Sequence, residues 1–326
     1  MGWKGTVRSL VAYSRAVERE NVRRQKAYAK HQKELAKLQE LEAARIEVEE
    51  YENYIELIQT AHKGVPDIYD WQNVALTPKP AEPKKDTKVS EALRNKLNNF
   101  HPNFFQRLFK LEEKAKAKLS RKLSEANALE TSTYENNLAE WEAKVQEWQE
   151  MTEVAKGILR NDTVSYKKAV YELNPFEELN TIGSSITVEF ISGSELSVKV
   201  QVHGDQVVPK TQKSLLKTGK LSIKDLPVGR RNEIYQDHIC SAVLRIGREL
   251  FALLPVTTVY VNAESELLDS STGRLTMQNI LSVMLVRETM QKLNYESIDP
   301  SDALKNFKNN MNFKKSQGMS PVPTLI

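Results

Sequence analysis

One cysteine, five scattered histidines and no apolar run near the roughly 18–20 residues of a membrane span set the first limits on this 326-residue chain. Cys240 has no second cysteine to pair with, which excludes an internal disulfide framework and suits a reducing compartment. No signal-peptide core follows Met1, so a cytoplasmic location with no membrane contact is expected. The opening Met1-Gly2-Trp3-Lys4-Gly5-Thr6 fits the loose pattern for N-myristoylation, which chance supplies often. His31, His62, His101, His203 and His238 offer no paired spacing for zinc, and no metal is expected. His238 and Cys240 are two apart on an expected helix and cannot face one another, so Cys240 reads as a buried thiol and no catalytic residue is assigned. Neither GxxxxGK[ST] nor GxGxxG occurs, and no nucleotide cofactor is expected. A formal net charge of +4 is too small to imply a nucleic-acid partner unless the charge is clustered.

The charge is in fact strongly sorted. Residues 1–30 hold eight Lys/Arg against two Glu, and residues 31–60 hold three against eight. Residues 101–125 hold seven basic against three acidic, and residues 126–153 one against seven. Folded back on itself, such a chain sets plus against minus at both ends, whereas a parallel arrangement opposes like charges. The expected fold class is therefore α+β: a long antiparallel α-helical hairpin, a coiled-coil arm, followed by a compact β-β-α-β-β-α domain. Eight of the twelve glycines follow residue 175 and all four tryptophans precede it, which sets the boundary there. The expected division is an arm over 1–175 with a Pro-rich tip linker at 63–89, an α+β head over 176–315, and a mobile tail over 316–326.

Apolar residues in the first limb begin at Leu10, Tyr13 and Val17 and resume at Leu41, Ala44, Val48, Tyr51, Ile55 and Ile58, in helical steps of three and four. Lys63-Gly64-Val65-Pro66 is a stop signal. The second limb carries Leu108, Leu111, Ala115, Leu119, Leu123 and Ala126, then Tyr134, Leu138, Trp141, Val145, Trp148 and Thr152. Between the limbs, Pro78, Pro80 and Pro83 deny helix and favour an extended path; Pro80 to Pro83 also forms a PxxP step of the kind SH3 domains read. Trp141 and Trp148, seven apart, share a side of the helix. Such a stripe most often packs within the hairpin itself; the sharper expectation is an oligomer interface at Trp141 and Trp148, because two helices alone leave a wide apolar face uncovered.

Past Pro175 the period becomes two. Ile186, Val188 and Phe190, and then Leu196, Val198, Val200 and Val202, flank Ser192-Gly193-Ser194 as a β-hairpin. Arg231 to Leu254 reads as an apolar helix ended by Pro255, Val259–Val261 and Ile280–Val286 as strands, and Met290–Tyr295 and Ser301–Met311 as closing helices, with an additional strand near Leu221–Ile223.

The strongest local signal is electrostatic. Lys210, Lys213, Lys217, Lys220, Lys224, Arg230 and Arg231 stand against Asp225 alone. Arg230 and Arg231 open a helix, where cations are disfavoured unless an anion is near. His238, Ser241, Arg245 and Arg248 make a polar stripe along that helix. A phosphate backbone fits both features, with no sequence preference because the loop lacks stacking aromatics. The expected function is a non-enzymatic assembly or scaffold protein whose head binds nucleic-acid phosphates through this loop and whose arm joins itself or another protein. The alternatives are a pure protein–protein scaffold and a divergent metal-dependent nuclease using Glu189, Glu195 and Lys199, although Glu195 and Lys199 are four apart rather than the two such sites use.

Overall fold

The computed structural model describes residues 3–102, 111–177, 179, 184–202, 207–269 and 271–326, without the side chains of residues 3–25, 27 and 184. Leu108 and His203 lie outside the described residues, as do the side chains of Leu10, Tyr13 and Val17. The chain is mixed α+β and 54% helical. It divides into two compact units, Met1–Asp67 with Asn174–Ile326, and Ile68–Leu173.

The first unit opens with helix α1, Trp3–Thr60, followed by a 3-10 turn over Ala61–Lys63. No proline interrupts those residues, and Gly64-Val65-Pro66 ends them. Among the described side chains of α1, Ala44, Val48 and Ile58 are buried, as the stripe requires. The sheet begins with β1, Ser184–Phe190, and β2, Glu195–Val202, paired antiparallel. A second hairpin, β3 (Thr211–Leu215) and β4 (Leu221–Asp225), precedes helix α6 (Val228–Leu253); helices α2 to α5 belong to the other unit. β5 (Thr258–Asp269) then lies parallel to β2, and β6 (Arg274–Val286) pairs antiparallel with β5. With β7 over Lys308–Lys314 and β8 over Gly318–Ser320, the main sheet runs β1-β2-β5-β6-β7-β8, and β3-β4 stands as its own two-stranded ribbon. Leu196, Val198, Val200, Val259, Val261, Ala263, Leu281, Val283 and Leu285 are fully buried, the alternation expected of a sheet with a helix against one face. Gly247 of α6 lies so close that a Cβ there would stand 2.5 Å from the Leu285 side chain, so glycine lets helix and sheet approach.

The closing segment differs from the sequence expectation. Helix α7 covers only Arg287–Met290, and α8, capped by Asp299, only Pro300–Ala303. Lys308–Lys314 is strand β7, not helix, and pairs with β6 through Met311 opposite Leu281. Three asparagines at 309, 310 and 312 make that stretch a poor helix, and the edge of β6 supplies the hydrogen bonds it lacks. Residues 316–326, expected as a free tail, carry β8 (Gly318–Ser320) and then follow the sheet: Val322 N–H donates to Asn279 O at 2.8 Å and Leu325 N–H to Ser282 Oγ at 3.0 Å.

The second unit holds α2 (Trp71–Ala75), α3 (Lys88–Asn98), α4 (Glu112–Leu159) and α5 (Thr163–Leu173). Its organising contact is the proline segment laid along α4. Trp148 Nε1 donates to Thr77 O at 2.7 Å, Trp141 Nε1 to Pro80 O at 3.0 Å, and Lys85 Nζ to Thr131 Oγ1 at 2.8 Å. The register follows from two rises. Seven helical residues advance about 10.5 Å, and three residues of polyproline II advance about 9.3 Å, so two tryptophans seven apart meet carbonyls three apart. Lys79 completes the contact by standing 5.1 Å above the Trp141 ring. Trp148→Phe keeps an aromatic six-membered ring and removes the pyrrole ring with its donor; a loss of at least about 1 kcal/mol is expected in urea unfolding, and an unchanged midpoint would deny the bond a role.

Candidate functional site

The basic cluster is built on the β3–β4 ribbon and the start of α6. Lys213 lies opposite Ile223 and Gln212 opposite Lys224, so Lys213 and Lys224 point to opposite faces of the ribbon. The Lys213 face meets α1: Lys213 Nζ stands 2.9 Å from Glu47 and Lys220 Nζ 3.1 Å from Glu40. In the connecting turn Gly219 has φ +79, and a Cβ there would come within 3.1 Å of Leu41. Both the turn and the close approach require glycine. Two of the seven basic residues of the cluster, Lys213 and Lys220, thus neutralise the acidic block of α1. Lys210, Lys217, Lys224 and Arg230 are exposed, and Arg231 is half-buried. Arg230 is 3.8 Å from Glu233, which also binds Lys315 at 2.6 Å.

The polar stripe of α6 has a different partner from the one expected of it. It holds the C-terminal end of α1, where a helix leaves carbonyls without donors. His238 Nδ1 lies 3.2 Å from Ile58 O, and Arg248 Nη1 donates to His62 O at 2.5 Å and to Gly64 O at 2.8 Å. His62 N–H donates to Ser241 Oγ, and His62 Nδ1 stands 2.9 Å from the same oxygen. The positive Arg248 at a helix C-terminus also complements its dipole, and its guanidinium stacks 3.9 Å over Tyr295. Arg245 pairs with Glu249 at 2.6 Å, both nearly buried. Desolvation pushes the His62 and His238 pKa values down, and for His62 the nearby Lys63 and Arg248 charges add to it. These side chains form a buried clamp on α1.

Glu189, Glu195 and Lys199 lie on the sheet face away from Val198 and Val200, because Glu189 is opposite Ser197 in register. Glu189 and Lys199 form an exposed ion pair at 3.2 Å. Among the described residues no three His, Cys, Asp or Glu side chains gather in a way that could hold a metal ion. Cys240 is buried with Sγ 3.9 Å from Met311 Sδ, and burial pushes its thiol pKa far up, so it is not poised as a nucleophile. Among the described residues no helix is long and apolar enough to cross a membrane.

Sequence reasoning missed Glu40, Glu47, Ile58 and His62 as partners of the cluster and stripe. The acidic block at 31–60 was the available signal, complementary in sign to 210–231 as well as to residues 101–125. No family model, curated protein or solved structure matches the chain.

Proposed function

We propose that the chain is a non-enzymatic assembly protein, with a charge-sorted helical arm that joins other chains and an α+β head whose exposed lysines contact nucleic-acid phosphates. The front of α1 carries the reading. Every described side chain from Lys26 to Glu40 is exposed, including Tyr28 at 68%, Leu35 at 41% and Leu38 at 62%. Helices in water owe most of their stability to a packed face, so an uncovered stretch with apolar residues on it suits a partner. Light scattering on the whole chain should give a mass of at least twice 37.2 kDa; a monomer at every concentration counts against the arm as an assembly device.

Opposed charge gradients also suit α1 lying antiparallel to α4 as a helical hairpin. Cysteines introduced at Arg19 and Gln146 should crosslink within one chain if that arrangement forms. For the head, exposure at Lys210, Lys217 and Lys224 supports backbone contact. Duplex binding should fall with salt with a log–log slope of about −3, one unit per phosphate contacted. Alanine at these three positions should abolish it. Cleavage of DNA or RNA with added Mg²⁺, lost on Glu195→Ala, would move the reading to a hydrolase.

A further inference from the structure

Tyr28, His31, Leu35 and Leu38 step by three, four and three, which places them at alternating a and d positions of one helical seam. The same frame puts Arg24 at the preceding d position and Glu42 at the following a position. The stripe that docks on the head starts at Leu41 and Ala44. Three successive steps of three, from Leu35 through Leu38 and Leu41 to Ala44, carry it onto a neighbouring face. The seam is therefore left clear, and Glu42 and Arg45 at its end are exposed.

We propose that α1 of a second copy closes this seam, antiparallel, about a two-fold axis at residue 33. The inference rests on the reading of the arm as an assembly device and names its partner. An isologous contact needs residue i to meet j and j to meet i. In an antiparallel pair a positions face d positions, and the seam obeys this from end to end. Tyr28 faces Leu38 of the second copy, His31 faces Leu35, and both pairs recur across the axis. Arg24 faces Glu42 at each end, so four central layers are closed by two opposite-charge pairs. A parallel pair would instead set Arg24 against Arg24 and Glu42 against Glu42, with the basic block of residues 1–30 along its own copy. The aromatic stripe of α4 is a poorer occupant, because Trp141 and Trp148 already hold the carbonyls of Pro80 and Thr77.

The test is the mass of the whole chain together with a disulfide trap. Wild type should be a dimer, and Leu35→Glu should make it a monomer whose head still melts cooperatively, with helical circular dichroism falling by no more than the front of α1 contributes. Arg24→Glu should weaken association by about tenfold, and adding Glu42→Arg should restore it. Tyr28→Cys with Leu38→Cys should form a crosslinked dimer on mild oxidation, with buried Cys240 contributing none. A dimer that survives Leu35→Glu and gives no crosslink overturns this seam while leaving association through the arm intact. A monomeric wild type overturns both.

Discussion

Glu249→Gln is expected to lower the stability of the first unit by about 3–5 kcal/mol, because it removes one charge of a buried ion pair whose groups lie 2.6 Å apart. For a unit of this size the melting temperature should fall by on the order of 10 °C. The penalty comes from removing one buried charge and keeping the other, not from the pair as such. Arg245→Met with Glu249→Leu should consequently recover most of the loss, since both charges leave the interior together. Gly64 extends the argument to the backbone. A Cβ there would stand 2.0 Å from Arg245 Nη1 and 2.6 Å from its Cζ, and the guanidinium is held by Glu249. Gly64→Ala should therefore loosen the end of α1 on α6, seen as faster amide exchange over residues 55–64. If Glu249→Gln melts like wild type, the pair is not the anchor described.

Period-two alternation at Ile186–Phe190 and Leu196–Val202 made β1 and β2 legible, because a sheet with one covered face writes its burial directly into the sequence. The outer ends of β5 and β6 were not legible. Glu264, Glu266, Gln278 and Asn279 are polar, and those residues are paired in the β5–β6 ribbon beyond the apolar centre. β7 failed for a related reason: an asparagine-rich strand depends on the edge beside it and carries no pattern of its own. The charge blocks were plainly visible, but their partners were not. Lys213 and Lys220 complement a phosphate as well as they complement Glu47 and Glu40, and Coulomb attraction carries no address. The seven-residue spacing of Trp141 and Trp148 announced a shared helix face. Only the near equality of two helical turns with one turn of polyproline II identifies the proline segment as what lies on it.

Acidification should release α1 from α6. His238 Nδ1 donates to Ile58 O, which leaves its Nε2 a bare acceptor, and His62 Nδ1 shares a hydrogen bond with the Ser241 hydroxyl. Neither Nε2 has a hydrogen-bond partner. Burial holds both rings neutral, with pKa values below the ordinary value of about 6.5 that the unfolded chain shows. Above that pH both states carry the same protons and stability does not respond. Below it the unfolded chain takes up protons that the folded chain refuses, so stability falls as pH falls, by at most about 1.4 kcal/mol per pH unit for each histidine. Asp237, bound by Gln59 at 2.7 Å, has its carboxyl pushed up by burial and acts with the opposite sign nearer the carboxylate range, which should flatten the loss at the acid end. The urea midpoint should therefore drop between pH 7 and pH 5. His238→Gln should remove about half of that slope, because one of the two rings no longer titrates. A midpoint that stays level across this window would mean that the clamp accepts charged histidines, and the buried-neutral account of it would have to be abandoned.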